Sequence, residues 1–305
     1  MKSFQGRTAV ITGAASGFGL EASRIAAARG MNVVMADVQH DALQAAAAEI
    51  EGRGAQVLAY RLDVAKPAEV EALAAATVAR FGTPHVVFNN AGVAVGGLVW
   101  EMTLKDWEWV IGVNLMGVVH GVRAFTPRML AAAAQDASYE GHIVNTASMA
   151  GLLSAPNMGV YNASKHAVVS LTETLYQDLR LVTDQVGASV LCPYFVPTGI
   201  SHSDRNRPAE LAGDQPTRSQ LIAQAMSDMA VSSGKVTAET VAQSVFAAMA
   251  EQQFYIYSHP NQLGNVQSRM EDIIASRNPS DPFVKRPEIG EQLRKALRGE
   301  AGTRP

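Results

Sequence analysis

The feature that most constrains this chain is a glycine-rich turn, Gly13-Ala14-Ala15-Ser16-Gly17-Phe18-Gly19, set between a buried strand and a helix. Arg7 to Thr12 is a short apolar run bounded by a turn, which reads as a strand. An alanine-rich helical stretch follows the turn to Ala28 and stops at Gly30. Glycines at 13, 17 and 19 let the chain turn sharply and let a pyrophosphate approach the backbone. They set that phosphate at a helix N-terminus, where free N–H groups and the helix dipole favour an anion. The spacing is GxxxGxG rather than the GxGxxG of the common dinucleotide fingerprint, so the turn alone is weak evidence.

Its surroundings strengthen it. Asn32 to Ala36 is a second apolar strand, and Asp37 closes it at the edge where a ribose would lie. A carboxylate there accepts hydrogen bonds from the 2′- and 3′-hydroxyls and repels a 2′-phosphate. Ser16 is neutral and Val38 and Gln39 follow Asp37, so no cation awaits that phosphate. NAD is therefore expected, with NADP as the alternative. The plainer reading of Asp37 is a solvated loop acid, or a cap for the helix beginning near Asp41.

The alternation of strand and helix continues, as a parallel doubly wound sheet (a Rossmann-type α/β fold) requires. Strands are expected at Gln56 to Arg61, His85 to Phe88, His142 to Thr146, Ala188 to Cys192 and Phe254 to Tyr257. Pro67 suits a first helical turn. A helical region runs from Thr103 to Ala134, with Pro127 expected to kink or break it. A helix carrying Tyr161 and Lys165 runs on to Val182.

Tyr161 and Lys165 are four apart and share one helix face. A free phenol has a pKa of about 10 and is a poor acid or base at neutral pH. A neighbouring ammonium favours the phenolate. Ser148, thirteen residues before Tyr161, needs only to present its hydroxyl to the same substrate oxygen. Together these groups could move a proton on or off an alcohol.

On these residues the chain resembles the short-chain dehydrogenase/reductase (SDR) family over about residues 5 to 258. Thr12 through Gly19 matches the family's TGxxxGxG, and Asn89-Asn90-Ala91-Gly92 its NNAG segment. Asp63, in Leu62-Asp63-Val64, matches the residue that touches adenine, while Asn114, Ser148, Tyr161 and Lys165 match an Asn-Ser-Tyr-Lys tetrad. The resemblance implies that Tyr161 is the acid/base and that Ser148 positions the substrate oxygen. It further implies that Lys165 lowers the tyrosine pKa and binds the nicotinamide ribose, and that Asn114 holds a proton-relaying water. The cofactor contacts it implies fall on Gly13, Ser16, Gly17, Phe18, Gly19, Asp37, Asp63, Val64, Asn90, Ala91 and Gly92, with Tyr161 and Lys165. Pro193, Val196 and Thr198 complete them, with Val196 and Thr198 at the carboxamide. One departure is Tyr194, which stands where the family usually has glycine and is expected to narrow or line the pocket, or to pack in the core. Family members are commonly oligomers built partly on the helix carrying Tyr161, so a homotetramer or homodimer is expected.

The 305 residues suit one large α/β domain, 1–258, and 48% apolar content supplies its core. A net charge of −3 gives no reason to invoke nucleic acid or an anionic membrane. No run of about 18 consecutive apolar residues suggests a membrane span. Met1 to Val10 leads straight into the first strand without a signal peptide, and the single Cys192 fits a reducing cytoplasm. The seven histidines show no metal-ligand spacing.

Residues 199–235 break the rhythm. A polar stretch, Ser201 to Pro208, precedes a candidate helix from Pro216 to Val231 with Leu221, Ile222, Ala225, Met226 and Met229 on one face. By the resemblance this is a lid over the substrate, and methionines would make an adaptable wall. Trp107 and Trp109, two apart on a helix, cannot share a face, so core or subunit contact is expected of them and of Trp100. Residues 259–305 form a C-terminal extension. It carries an apolar stripe (Val266, Met270, Ile273, Ile274), three prolines and a short helix at Leu293 to Leu297, and could pack on the lid or on a neighbouring subunit.

The expected function is oxidoreduction of a secondary alcohol or ketone with NAD. The alternatives are an NADPH-dependent ketone reductase or a non-catalytic dinucleotide sensor, and an intact tetrad favours the enzyme over the sensor. Tyr194, Phe195, Leu152 and Leu153 with the lid predict a mostly hydrophobic pocket for an apolar or aromatic substrate, and no arginine stands out as an anion clamp.

Overall fold

A computed structural model describes residues 1, 3–213 and 215–300. Its centre is a seven-stranded sheet whose neighbouring strands all pair in parallel. The strands are β1 (Thr8–Thr12), β2 (Asn32–Asp37), β3 (Val57–Arg61), β4 (Val86–Asn89), β5 (Gly141–Thr146), β6 (Val186–Cys192) and β7 (Tyr255–Tyr257). Their spatial order is β3-β2-β1-β4-β5-β6-β7. The chain's direction across the sheet thus reverses between β1 and β4, and open α/β sheets bind ligands at such a crevice, beyond the carboxyl ends of the strands.

The helices follow from the same sequence logic. α1 (Gly17–Ala28) and α2 (His40–Glu51) cover one face of the sheet, and α3 (Pro67–Phe81) the other, with Pro67 in its first turn. Side chains alternate across β1: Ala9 and Ile11 join Ala22 and Ala26 of α1, whereas Val10 joins Val70 and Leu73 of α3. All of these are essentially removed from water, a burial that contributes about 1.5–3 kcal/mol for each large aliphatic or aromatic side chain. The small residues of α1 let it lie close to the sheet, which sets its N-terminus over the glycine turn.

The long helical region holds, but its irregularity lies elsewhere than expected. α4 (Leu104–Ile111) passes through a wider π turn, Gly112–Met116, into α5 (Gly117–Gln135), and Pro127 lies inside α5 without ending it. Proline there forfeits one helical hydrogen bond. The π turn makes a distant contact. Asn114, fully buried within it, exchanges hydrogen bonds with the backbone of Val93 (Oδ1 from N, 2.8 Å; Nδ2 to O, 2.9 Å). The run Leu104–Gln135 is long and apolar enough to cross a membrane by composition, yet Trp109, Val110, Val118 and Phe125 are buried in the protein's own core.

α6 (Gly159–Val182) carries Tyr161 and Lys165. After β6 come two 3₁₀ segments (Gly199–Asn206 and Ala209–Leu211), then α7 (Arg218–Ser232) and α8 (Ala238–Glu251). Beyond β7, α9 (Leu263–Ile274) and α10 (Pro287–Arg298) return to the open end of the sheet, and α10 packs against α7.

Candidate active site

One cavity of about 2550 Å³ opens at the carboxyl end of the sheet. At its first end is the glycine turn. Gly13 and Gly17 have φ of +66° and +53°, where a side chain would be strained. Gly19 is needed for a different reason: a Cβ there would lie 2.1 Å from the Gly13 carbonyl oxygen. Ser16 caps α1 without a side-chain hydrogen bond, so its hydroxyl does not occupy the leading N–H groups. Asp37 stands across this turn. Its Oδ2 accepts from Ala15 N (3.0 Å) and its Oδ1 from Gln39 N (2.9 Å), which fixes the carboxylate at the cavity wall.

Further along the wall, Asp63 accepts from Ala65 N at 2.9 Å, and Val64 lies beside it. Asn90 ties the switch point together: its backbone N–H donates to Thr12 Oγ1 (2.9 Å) and its side chain to Thr12 O (3.0 Å). Ala91 N also donates to Thr12 Oγ1, at 3.1 Å. Gly92 leaves room for the groups behind it, since a Cβ there would approach Asn114 Oδ1 at 3.4 Å and Lys165 Nζ at 3.6 Å.

The second end holds Ser148, Tyr161 and Lys165. Ser148 follows β5; its Oγ accepts from Ala150 N (3.1 Å) and donates to Pro193 O (3.3 Å). Lys165 Nζ donates to Thr146 O (2.9 Å) and lies 5.7 Å from the centre of the Tyr161 ring. Burial pulls the Lys165 ammonium down to about 8, with a smaller opposing effect from Cys192. Burial also raises the Tyr161 phenol above its ordinary value, and the Ser148 hydroxyl partly offsets this. In the protein alone the Lys165 ammonium is bonded to the Thr146 carbonyl, and burial sets the direction of the Tyr161 shift.

Every catalytic or cofactor-binding residue expected from sequence borders this cavity except Gly19 and Asn114. Gly19 is buried under the turn. Asn114 sits behind the wall and donates to Ser164 Oγ at 3.1 Å, while Ser164 in turn donates to Tyr161 O at 2.8 Å. Pro193, Val196 and Thr198 line the passage between the two ends. Cys192 is buried beneath them, and its thiol is pushed up to about 12 by that burial, as an inert packing residue should be.

Tyr194 lines the cavity and also packs, partly buried, against the core cluster that holds Ala147, Val190 and Cys192. Its ring lies 4.4 Å from that of Phe195 and 5.7 Å from that of His259, and its backbone N–H donates to Ser258 Oγ. Leu153 reaches the cavity but Leu152 is buried away from it. The stripe on α7 also divides. Ile222 is buried and Ala225 and Met226 line the cavity, whereas Leu221 is turned to solvent and Met229 is 74% exposed at the rim. Of the tryptophans, Trp109 is buried at the cavity, Trp107 packs beside the same cluster, and Trp100 is exposed.

Sequence reasoning missed the polar fastening of 199–235. The Asp106 carboxylate, almost fully buried on α4, pairs with Arg207 at 2.7 Å and accepts from Gln220 Nε2 at 3.3 Å. The same carboxylate forms a capping box with Thr103, and these bonds with the Arg207 charge hold it below the usual carboxylate range despite its burial. Arg207 also stacks over Trp109, 5.0 Å from the ring. At the far end Asn206 accepts from Gln39 Nε2 at 2.7 Å, beside Asp37. A Thr-x-x-Asp start to α4 was legible, but its partners are about a hundred residues away and carry no local signal.

Residues 7–209 match the model of the short chain dehydrogenase family. The chain belongs to that family. A crystal structure of a short-chain dehydrogenase/reductase from Burkholderia phymatum, in complex with NAD, superposes with a TM-score of 0.90 at 53% identity, over 92% of this chain and 99% of that one. A CLA biosynthesis dehydrogenase/reductase of Lactiplantibacillus plantarum is 34% identical over 285 residues, 92% of this chain and 97% of the relative. The 1-deoxy-11-beta-hydroxypentalenate dehydrogenase of Streptomyces exfoliatus is 36% identical over 271 residues, 88% and 89% of the two chains. This short-chain dehydrogenase is thus an oxidoreductase acting on CH–OH groups, and its relatives match it well beyond the strands, into the C-terminal segment.

Proposed function

We propose that this short-chain dehydrogenase interconverts a secondary alcohol and a ketone, with NAD as cofactor and Tyr161 as the acid/base. One observation carries the reading: Ser148, Tyr161 and Lys165 border the same cavity as the glycine turn and Asp37. The fit for a dinucleotide rests on this chain's own geometry. Gly13 and Gly19 leave the backbone bare, the start of α1 offers N–H groups, and Asp37 and Asp63 stand where ribose and adenine would lie. NAD bound there would supply the hydride acceptor. The fixed Asp37 carboxylate favours NAD over NADP because it repels a 2′-phosphate, and the Burkholderia relative is itself an NAD complex.

In oxidation the Tyr161 phenolate takes the proton from the substrate hydroxyl, its own proton having first left by way of the Lys165 amine, while Ser148 donates a hydrogen bond to the same oxygen. Ala150 N fixes the Ser148 oxygen, and its proton turns from the Pro193 carbonyl to the substrate. Lys165 has a readily lost proton and stands beside the Tyr161 ring, so it can pass charge toward the phenol once a ligand frees it from Thr146. Asn114 acts from behind, holding Ser164 and through it the first turn of α6. Residues 199–235 serve as a lid, and 259–305 as an extension that completes the substrate end. We further take the protein to be a cytoplasmic homo-oligomer, with light scattering of the purified chain testing the assembly and cell fractionation the location.

The test is NADH formation at 340 nm across bulky secondary alcohols, run with NAD and with NADP, for wild type and Tyr161→Phe. Turnover with NAD is expected, falling by roughly 10²–10⁴-fold in the variant, the usual value of one general acid–base group, while NAD still binds. Retained turnover in Tyr161→Phe would refute the assigned mechanism, and preference for NADP would refute the reading of Asp37.

A further inference from the structure

The substrate end of the cavity has two chemically different walls. One is apolar, built from Tyr194, Phe195, Leu153, Ile222 and Met226. The other is α9 with the Gln262 that caps it, which brings Gln262, Asn265, Ser268, Arg269 and Asp272 to the cavity. Among these, Arg269 is the group without a charge partner. The other arginines around the substrate end are occupied. Arg207 is held by Asp106, Arg277 by Asp272 and Arg286 by Glu288, and Arg205 donates to the carbonyls of Gly199 and His202. The acids near Arg269 on its own helix are engaged elsewhere as well. Asp272 accepts from Arg277 Nε (3.0 Å) and Ser280 N (3.0 Å), and Glu271 accepts from Gln267 at 2.8 Å. Among the described residues no carboxylate neutralises Arg269, which is half-buried.

Its position makes this more than a surface charge. Arg269 borders both the main cavity and a shallow recess against α6, formed with Ser154, Pro156, Asn157, Asn162 and His166. It therefore stands at the loop that leads into Tyr161 and beside the residue that follows it. Lys285, also without a charge partner among the described residues, is exposed where it borders the cavity. A guanidinium is a planar fork of donors that matches a carboxylate in two parallel bonds. A half-buried and unneutralised fork facing a ligand cavity is a recognition element for an anion.

We infer that Arg269 binds a carboxylate on the substrate, remote from the alcohol that reacts at Tyr161. The substrate class is then an amphipathic hydroxy or oxo acid, with its apolar body against Tyr194 and the lid and its anionic end against α9. This deepens the proposed function and rests on it. It also revises the expectation of a mostly hydrophobic pocket without an anion clamp, because the clamp comes from the extension, outside the segment that the family motifs cover.

The experiment uses the full chain with NAD and a chain-length series of secondary hydroxy acids, each paired with its methyl ester. Acids of suitable length should exceed their esters in kcat/KM by roughly ten- to a hundredfold, the worth of a charge-assisted hydrogen-bonded pair. Arg269→Gln should collapse that acid-to-ester ratio toward one, acting through KM more than kcat, and Arg269→Lys should restore part of it. A ratio near one in wild type, or one that survives in Arg269→Gln, overturns the inference while leaving the alcohol dehydrogenase reading intact. If neither acid nor ester turns over, the proposed function fails, and thermal shift with the same pairs decides the inference alone. Stabilisation by acids that is lost in Arg269→Gln would support the site, and equal response to acids and esters would overturn it.

Discussion

Gly19→Ala tests whether the cofactor cradle is built as its spacing implies. The added Cβ would sit 2.1 Å from the Gly13 carbonyl oxygen, 2.7 Å from the Gly13 carbonyl carbon and 2.8 Å from Asn90 Nδ2. Ordinary contact begins near 3.4 Å, so the overlap exceeds an ångström, and the nearest two atoms are backbone. Neither can rotate aside as a flexible side chain would. The turn must therefore move, which disturbs the Asn90 bonds to Thr12 and Gly13 that hold β1 to the segment after β4. Overpacking of this kind costs about 3 kcal/mol, at the upper end of the usual range, and should lower Tm by roughly 5 °C for a domain of this size. Because Gly13 borders the cavity, NAD affinity should fall about tenfold or more through loss of backbone hydrogen bonds. Gly264→Ala is the matched control: its Cβ meets nothing within 4 Å and it lies within α9, so it should stabilise by up to about 1 kcal/mol. Differential scanning fluorimetry with and without NAD reads both quantities. A Gly19→Ala protein that melts with wild type and binds NAD equally well refutes the close-approach argument.

Lys165 supplies a pH signature. Its folded value of about 8 lies below the ordinary 10.5, so between these values the unfolded chain binds more protons and stability rises with pH. Relative to Lys165→Met, the cofactor-free wild type should gain up to roughly 3 kcal/mol across that window in urea titrations, and parallel curves would refute the burial of the ammonium. Asp106→Ala removes a helix cap and leaves the Arg207 guanidinium half-buried without its partner. It should lose about 3 kcal/mol and expose Arg205 and Arg207 to trypsin, whereas unchanged cleavage would show that the lid is fastened elsewhere.

Much of this protein is legible because its signals are local. A buried strand is a short apolar run, and the observed strands begin and end within about two residues of the expected ones at each site named above. Tyr161 and Lys165 meet because a helix brings i and i+4 together, and a regular helix over Gly159–Val182 is what the segment forms. Features that depend on distant partners were not legible. Pro127 drew attention as the breaker, yet the irregular turn falls at Asn114, whose amide is satisfied by Val93 on a different element. The stripe on α7 was correct as a periodicity but silent about which residues α10 and the 3₁₀ segment Gly199–Asn206 would cover, and Leu221 and Met229 are left exposed.

By itself, then, the sequence determined the βαβ rhythm, the bare-backbone turn, the carboxylate at the end of β2 and the tyrosine–lysine face. Each follows from steric and periodic rules that act over a few residues. Tertiary structure decided the charge state and the walls of the site. The Tyr161 phenol is raised and the Lys165 ammonium lowered because folding withdraws both from water, an effect that no spacing encodes. Likewise Arg269 and Asp106 are unremarkable charged residues on amphipathic helices until the fold chooses their neighbours. Packing gives Asp106 an arginine and leaves Arg269 without a carboxylate at the edge of the cavity, because Asp272 and Glu271 are already engaged.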